Sequence, residues 1–358
     1  MPATTGYSLH VRSDSKEAQV SDTRQGAVLE SSLDSNSGSS QASIPPPVFA
    51  SPRSPWLEYG LPAFLLAASL VTTTAIGARF MQNFLEGLPV VVTDSDLWPW
   101  PWLFEHPSRF LLGWSFSSSL LGILLVHEFG HYFACRIHGI RATLPWVLPA
   151  PTLSGTAGAV IQIRGRIPNR KALMDVGVYG PLAGYLASLM VVAIGFLLSS
   201  AAPVDRAPAL IGFGNPLTLR MIHSLLVHLH AAAPSFEVAT RHPVLIAGWV
   251  GLFITSLNLI PAGQLDGGHI LYAISPQLHR RLTRLLPIVL LICGFFFWIG
   301  WILWGLLLLI PAMRHPRVST EHALDGKRIL LSVVALAIFV LTFSIEPFSG
   351  SSILHYLR

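Results

Sequence analysis

Charge is what this chain has least of. Asp, Glu, Lys and Arg make up only 11% of its 358 residues, against roughly 25% in a soluble domain. Too few ionic groups remain to clothe a large water-facing surface, which excludes an ordinary soluble globule. Cysteine is scarce as well. The two present, Cys135 and Cys293, both lie in apolar runs. That excludes a disulfide framework and a cysteine-type zinc site, and both read as small apolar helix residues. The net charge of +5 and the pI near 9.5 would suit a nucleic-acid ligand. The basic residues, however, fall in short loops between apolar runs, where they act as topology signals. No nucleic-acid partner is expected.

Apolar residues are abundant instead: 52% of the chain, with a mean hydropathy of +0.56. The expected fold is an all-α polytopic membrane protein of about six transmembrane helices, with a small membrane-associated β-hairpin. Residues 1–54 are rich in Ser, Pro, Asp and Gln and read as a disordered cytoplasmic tail. No basic start followed by an apolar core marks that tail as a signal peptide. One membrane domain should fill 55–350, with its core at 110–270, before a short tail at 351–358. Six apolar runs lie at about 58–78, 110–135, 174–200, 243–263, 285–313 and 329–346. Each can cross a hydrocarbon core of about 30 Å as a helix. The fifth is long and carries Gly294, Gly300 and Gly305; one tilted helix and a re-entrant pair both fit it.

Orientation follows from the basic loops. Arg136, Arg141, Arg164, Arg166, Arg170 and Lys171 follow the second run, and Arg280, Arg281 and Arg284 follow the fourth. Both loops should face the cytoplasm, and with them the N-terminus. Arg314, Arg317, Lys327 and Arg328 obey the rule only if the fifth run is a hairpin. The segment 142–168 is apolar yet too often broken by Pro and Gly to span. Its "GAVIQIRGR" has β-branched residues in partial alternation, which predicts strand. Non-helical backbone at that depth must be buried in protein or line a wet cavity.

The second run contains "LLVHEFGHYF". His127 and His131, four apart on a helix, share one face and can grip one Zn²⁺ from the same side. Glu128 then stands beside the metal, where it can take a proton from water. Ionisable residues inside a span are functional by default. A catalytic zinc takes three protein ligands and keeps one position open. Asp266, in the Pro- and Gly-rich break "NLIPAGQLDGGH" (258–269), is the candidate third ligand, and His269 is its rival. Pro261 interrupts the helix there and Gly267 and Gly268 let the backbone turn. Asn258 lies on the approach and can hydrogen-bond a substrate carbonyl. "GPLAG" (180–184), with Gly180 and Pro181, puts small residues on a helix face and supports close packing against the site. His223, His228 and His230 read as part of an amphipathic interfacial helix rather than a metal site. Trp98, Trp100 and Trp102 read as an interfacial aromatic belt.

Together "HEFGH", "GPLAG" and "NLIPAGQLDGG" resemble the site-2 protease family of intramembrane zinc metalloproteases. The similarity is greatest to its EGY-like branch without a PDZ domain. That branch is similar also in "TLPWVLPAPTLSGTAGAVIQIRGRIPNRKALMDVGVYGPLAGY" and "HPRVSTEHALDG". The resemblance covers about 55–350 and implies one Zn²⁺ per chain, held by His127, His131 and Asp266, with Glu128 as general base and Asn258 in support. It implies hydrolysis of peptide bonds within or near transmembrane helices of single-span membrane proteins. A multi-pass place in a bacterial inner membrane goes with that reading. Ile161 and Ile163 are candidate substrate-binding residues, on a strand whose open edge an unwound substrate can join. Two other classes fit parts of the pattern. A membrane zinc transporter would show several acidic or His sites along a pathway, and an inactive scaffold of the same fold would lack a ligand or the base.

Overall fold

At membrane depth no water pairs with backbone N–H and C=O groups, so helices that satisfy themselves are the default. The computed structural model describes residues 55–203, 209–230, 239–319, 323–349 and 351–356. The expected disordered tail, 1–54, lies outside them. The described chain is mostly helical. Three helical stretches are long and apolar enough to cross a membrane: Trp56–Leu85, Pro107–Ile137 and Arg170–Leu198. They contain α1 (Leu61–Leu85), α3 (Trp114–Ile137) and α4 (Arg170–Leu198), with the short α2 (Trp100–Glu105) between the first two. Then come α5 (Leu217–His228), α6 (Pro243–Asn258), α7 (Asp266–Ile274), α8 (Pro276–Phe296), α9 (Gly300–Leu309) and α10 (Gly326–Thr342).

Two expected spans are not single helices. The fourth run stops at Asn258, after the 16 residues of α6, about 24 Å of helix at 1.5 Å per residue. The chain bends through 259–265 and continues as α7. The fifth run turns at 297–299 into two helices that pack antiparallel. A Cβ on Gly294 would stand 2.4 Å from the Ile302 side chain, and one on Gly305 would stand 3.0 Å from the Pro287 carbonyl. Glycine at both positions lets α8 and α9 close into a hairpin.

That hairpin removes the conflict among the basic loops. Arg170 donates to the carbonyls of Ala273 and Ile274, both at 2.6 Å. Arg328 donates to Asp175 and to the Lys171 carbonyl, 3.2 Å away. The start of α4, the end of α7 and the start of α10 therefore share one end of the bundle. Buried Asp175 also takes a hydrogen bond from His138 Nε2 at 2.8 Å, tying α3 into the same end. At the opposite end Gly212–Phe213 pairs with Phe348–Ser349, and Thr218 donates to the Leu341 carbonyl at 3.0 Å.

The 142–168 segment forms the expected hairpin, in two pieces. Strands β2 (Trp146–Pro149) and β3 (Thr156–Val160) pair antiparallel with Trp146 opposite Val160. Nearer the basic end, β1 (Arg141–Ala142) pairs with β4 (Ile163–Arg164). The predicted continuous strand thus breaks at Ile161–Gln162. Helix α1 supplies what the hairpin backbone needs: Ser69 donates to the Val147 carbonyl at 3.0 Å and Thr72 to the Gly155 carbonyl at 2.6 Å. Hydroxyls in "SLVTTTA" thereby serve carbonyls of the hairpin.

Sidedness is directly measurable. On a background without Cys135 and Cys293, cysteines at Arg166 and Ser319 should react with an impermeant thiol reagent from the same side of the membrane. A cysteine at Ser95, beyond the other end of α1, should react only from the opposite side. Labelling of Ser319 together with Ser95 would refute the α8–α9 hairpin.

Candidate metal centre

The "HEFGH" turn lies in the second half of α3, where His127, Glu128 and His131 are 2%, 5% and 6% exposed. Their surroundings are made by missing side chains on α4. A Cβ on Gly180 would stand 2.0 Å from His131 Nε2, and one on Gly184 would stand 2.7 Å from His127 Nδ1. One turn earlier, a Cβ on Gly177 would press on the Asp266 carbonyl and the His269 Cβ at 3.1 Å. Gly177, Gly180 and Gly184 form a stripe at helical spacing. It seats α7, one imidazole and the other imidazole in turn. Gly130, inside the motif, lets the two backbones meet: its Cβ would lie 2.4 Å from the Tyr179 carbonyl. Pro181 sits inside α4, and its missing N–H weakens that turn.

The third element arrives through the break after α6. Gly263 has φ +60°, a left-handed conformation that favours glycine. Gly267 and Gly268 lie so close to the Leu259, Ala262 and Gly263 carbonyls that any Cβ would stand 2.1–2.6 Å from them. Neighbours brace this loop. His279 Nε2 donates to the Gly263 carbonyl at 3.0 Å, the Gly263 N–H donates to Thr283 Oγ1 at 3.2 Å, and Gln264 donates to the Arg314 carbonyl at 2.9 Å. Asp266 begins α7 and faces α3.

Three side-chain atoms converge there. Asp266 Oδ2 stands 3.4 Å from His127 Nε2 and 3.3 Å from His131 Nε2, and the two Nε2 atoms are 3.1 Å apart. Ligands held at about 2.0–2.1 Å by a tetrahedral ion stand roughly 3.3–3.4 Å from one another. The donor set and its spacing therefore fit a zinc-sized cation. His131 Nδ1 donates to the Val176 carbonyl at 2.7 Å, which leaves Nε2 with its lone pair toward the cluster. Among the described residues this trio is the one group of His, Cys, Asp or Glu with three ligand atoms in reach of a single ion.

His269 does not join it; its Nδ1 lies 2.9 Å from His315 Nε2. Asn258 Nδ2 reaches His127 Nε2 at 3.3 Å. His223, His228 and His230 lie on or just after α5, outside the trio. A cavity of about 210 Å³ opens on the cluster, lined also by Glu128, Ala159, Val160, Ile161 and Ile163. The Ile161 N–H faces the Glu128 carboxylate. Ile163 stands opposite Ala142 in the β1–β4 pair, where Gln162 carries the hydrogen bonds to Thr143, and Ile161 and Ile163 both line the cavity. The open side of the hairpin is that of β3. Sequence reasoning missed Gly177 and the ring contact of Gly184, although their seven-residue spacing on one helix was visible.

A buried two-histidine, one-carboxylate cluster inside an apolar helical bundle defines the class, a helical membrane protein with a metal-capable centre. More particularly, the chain belongs to peptidase family M50, whose match covers residues 115–301. It is 36% identical over 155 residues to the probable zinc metalloprotease EGY1, chloroplastic, of Arabidopsis thaliana, covering 42% of this chain and 27% of that protein. The EGY1 protein of Oryza sativa subsp. japonica is 35% identical over 158 residues, 42% of this chain and 26% of its own length. The probable zinc metalloprotease EGY2, chloroplastic, of Arabidopsis thaliana is 27% identical over 238 residues, 63% of this chain and 41% of its own. The matches thus span about a quarter to two fifths of these relatives. All three are named as chloroplastic plant proteins, so the expected bacterial inner membrane gains no support.

Gly180 and Gly184 make a test of the centre that touches no ligand. Replacing either with Ala should displace an imidazole and lower metal affinity by about 10–100-fold, the range for lost ligand orientation. Gly122→Ala is the control on α3, where a Cβ meets nothing within 4 Å. Metal titration of the purified variants reads the difference; unchanged affinity in Gly180→Ala would show that the glycine does not shape the centre.

Proposed function

We propose that this chain is a zinc-dependent endopeptidase that hydrolyses peptide bonds within or near transmembrane helices of membrane proteins. The observation that carries the reading is the convergence of His127, His131 and Asp266 next to Glu128 in one buried cavity. Membership of peptidase family M50 and relatives named as zinc metalloproteases support it. A zinc transporter would need further sites along a pathway, and the described residues hold one such group. An inactive scaffold would lack a ligand or the base, and both are present.

His127, His131 and Asp266 would hold the ion. When bound, zinc supplies Lewis acidity and eases deprotonation of water at neutral pH. Glu128 takes a proton from the attacking water as its oxygen bonds to the scissile carbonyl carbon. It then returns that proton to the amide nitrogen as the C–N bond breaks, and so ends the turnover as it began, a carboxylate. Asn258, beside His127, can donate to the substrate carbonyl or orient that ring.

A helical substrate hides its carbonyls in i+4 hydrogen bonds, so it must unwind to react. Strand β3 has β2 on one edge and no strand on the other among the described residues. Ala159, Val160 and Ile161 line the cavity beside Glu128. An extended substrate can add there as a further strand. The expected substrates are single-span helices with Gly, Pro or Asn near the cut, which lower the cost of unwinding.

Glu128→Gln should abolish cleavage with zinc still bound, whereas His127→Ala, His131→Ala and Asp266→Ala should lose zinc and activity together. Atomic absorption alongside a membrane-substrate assay separates these outcomes, and full zinc occupancy in Asp266→Ala would remove that residue from the ligand set. Ile161→Pro or Ile163→Pro should cut cleavage at least tenfold with zinc unchanged, through loss of an edge donor and stiffening of the strand; near wild-type cleavage in both would dismiss the edge-strand mode.

A further inference from the structure

Between Asp266 and Glu321 the chain has no acidic residue, yet it carries five arginines there. Four of them, Arg280, Arg284, Arg314 and Arg317, line one cleft of about 840 Å³. The first turns of α8 form one wall, and the end of α9 with the segment after it forms the other. None of the four guanidinium groups pairs with a described carboxylate. Cations gathered round one cleft without a counter-charge repel each other and focus a positive potential into it.

A second observation points into the same cleft. His279 lines it and is 3% exposed. Its Nε2 donates to Gly263, while its Nδ1 is buried without any partner. A buried polar atom of this kind asks for a group that the protein does not supply. A third observation concerns the rim, which is apolar. Leu308 and Leu309 line the cleft, and Leu309 is 57% exposed. Leu285, Ile288 and Ile292 run up one face of α8 and are 54%, 57% and 55% exposed. The cleft lies at the end of the bundle that carries Arg170 and Arg328, the level at which headgroups meet a membrane protein.

We propose that this cleft binds the phosphate headgroup of an anionic lipid, with the acyl chains along the exposed stripe of α8 and the end of α9. Basic pockets between spanning helices on a cytoplasmic face are suited to such headgroups. Four guanidinium groups supply charge and in-plane donors for phosphate oxygens. His279 Nδ1 pairs with a hydroxyl or protonated oxygen of the headgroup. This site is separate from the centre at His127 and does not rest on the hydrolytic reading.

The test uses the full chain in bilayers of phosphatidylcholine, titrated with phosphatidylglycerol or, in a separate arm, with inorganic phosphate. Retained lipid is counted by native mass spectrometry, and the melting temperature is followed. Wild type should retain phosphatidylglycerol over phosphatidylcholine. Arg280→Gln with Arg284→Gln, and separately Arg314→Gln with Arg317→Gln, should weaken that retention about 30-fold. Their melting temperature in pure phosphatidylcholine should stay at the wild-type value, since all four side chains are exposed. Arg136→Gln with Arg141→Gln, on the same basic face but outside the cleft, should retain lipid like wild type. Equal losses in that control would reduce the effect to general surface charge and overturn the site. Displacement of phosphatidylglycerol by inorganic phosphate at the same concentration would assign the cleft to free phosphate and overturn the lipid.

Discussion

Everything at the centre depends on how closely α4 approaches the two imidazoles of α3. A carboxylate at the middle of a spanning helix costs about 2.5–3.5 kcal/mol, and this centre holds Glu128 and Asp266 together. Such groups persist only if each finds partners, and partners must stand at contact distance. The gaps at Gly180 and Gly184 bring α4 into contact with both rings. From that contact follow the Val176 carbonyl on His131 Nδ1 and the meeting of Gly177 with α7. A methyl group at either ring-facing glycine would separate the helices. The ligands would then face apolar surface with their charge uncompensated.

The same rule governs the one stretch of strand at this depth. A hairpin among helices leaves carbonyls that lipid cannot satisfy. The α1 hydroxyls answer on one side, with Ser69 and Thr72 bonded to the hairpin and Thr73 to Ser117 of α3 at 2.6 Å. Helix α1 is therefore a polar clamp inside an apolar exterior, and it fixes the hairpin against α3. With that side held, the hairpin presents the free side of β3 to the cavity. The position of Ile161 beside Glu128 is thus set by residues some ninety positions earlier in the chain.

Much of this was legible in the sequence, because the chemistry is local. Two histidines four apart on an apolar helix must share a face, and an aspartate in a Pro- and Gly-rich break stands out in a chain so poor in charge. Strand character in "GAVIQIRGR" was also visible, though its interruption at Ile161–Gln162 was not, since the break answers to packing against α3 rather than to propensity. Span count was less legible. Hydropathy measures length and greasiness, and the α8–α9 turn is apolar throughout while the α6–α7 break is apolar but for Gln264. Only the close contacts of Gly294 and Gly305 distinguish a hairpin from one tilted helix. His269 is a further case: as a rival to Asp266 it was a fair reading of spacing, but its partner is His315, 46 residues away, and no local pattern announces such a contact.

The break between α6 and α7 has a reason beyond aiming a side chain. In a continuous helix every interior amide is spent on the turn before, and no helix end lies at mid-depth. Stopping α6 at Asn258 and restarting at Asp266 places a fresh N-terminus inside the bundle. The partial positive charge of that terminus favours a negative group by about 0.3–1 kcal/mol, and by up to about 2 when partly buried. Asp266 occupies the first helical position and is partly buried. The helix end therefore offsets part of the cost of keeping a carboxylate there. It does so while Gly267 and Gly268 press against the carbonyls of the loop that precedes them, leaving no room for a longer connection. Irregular backbone, glycine and charge thus occur at the same point for one cause, a helix that must end where an oxygen ligand has to stand.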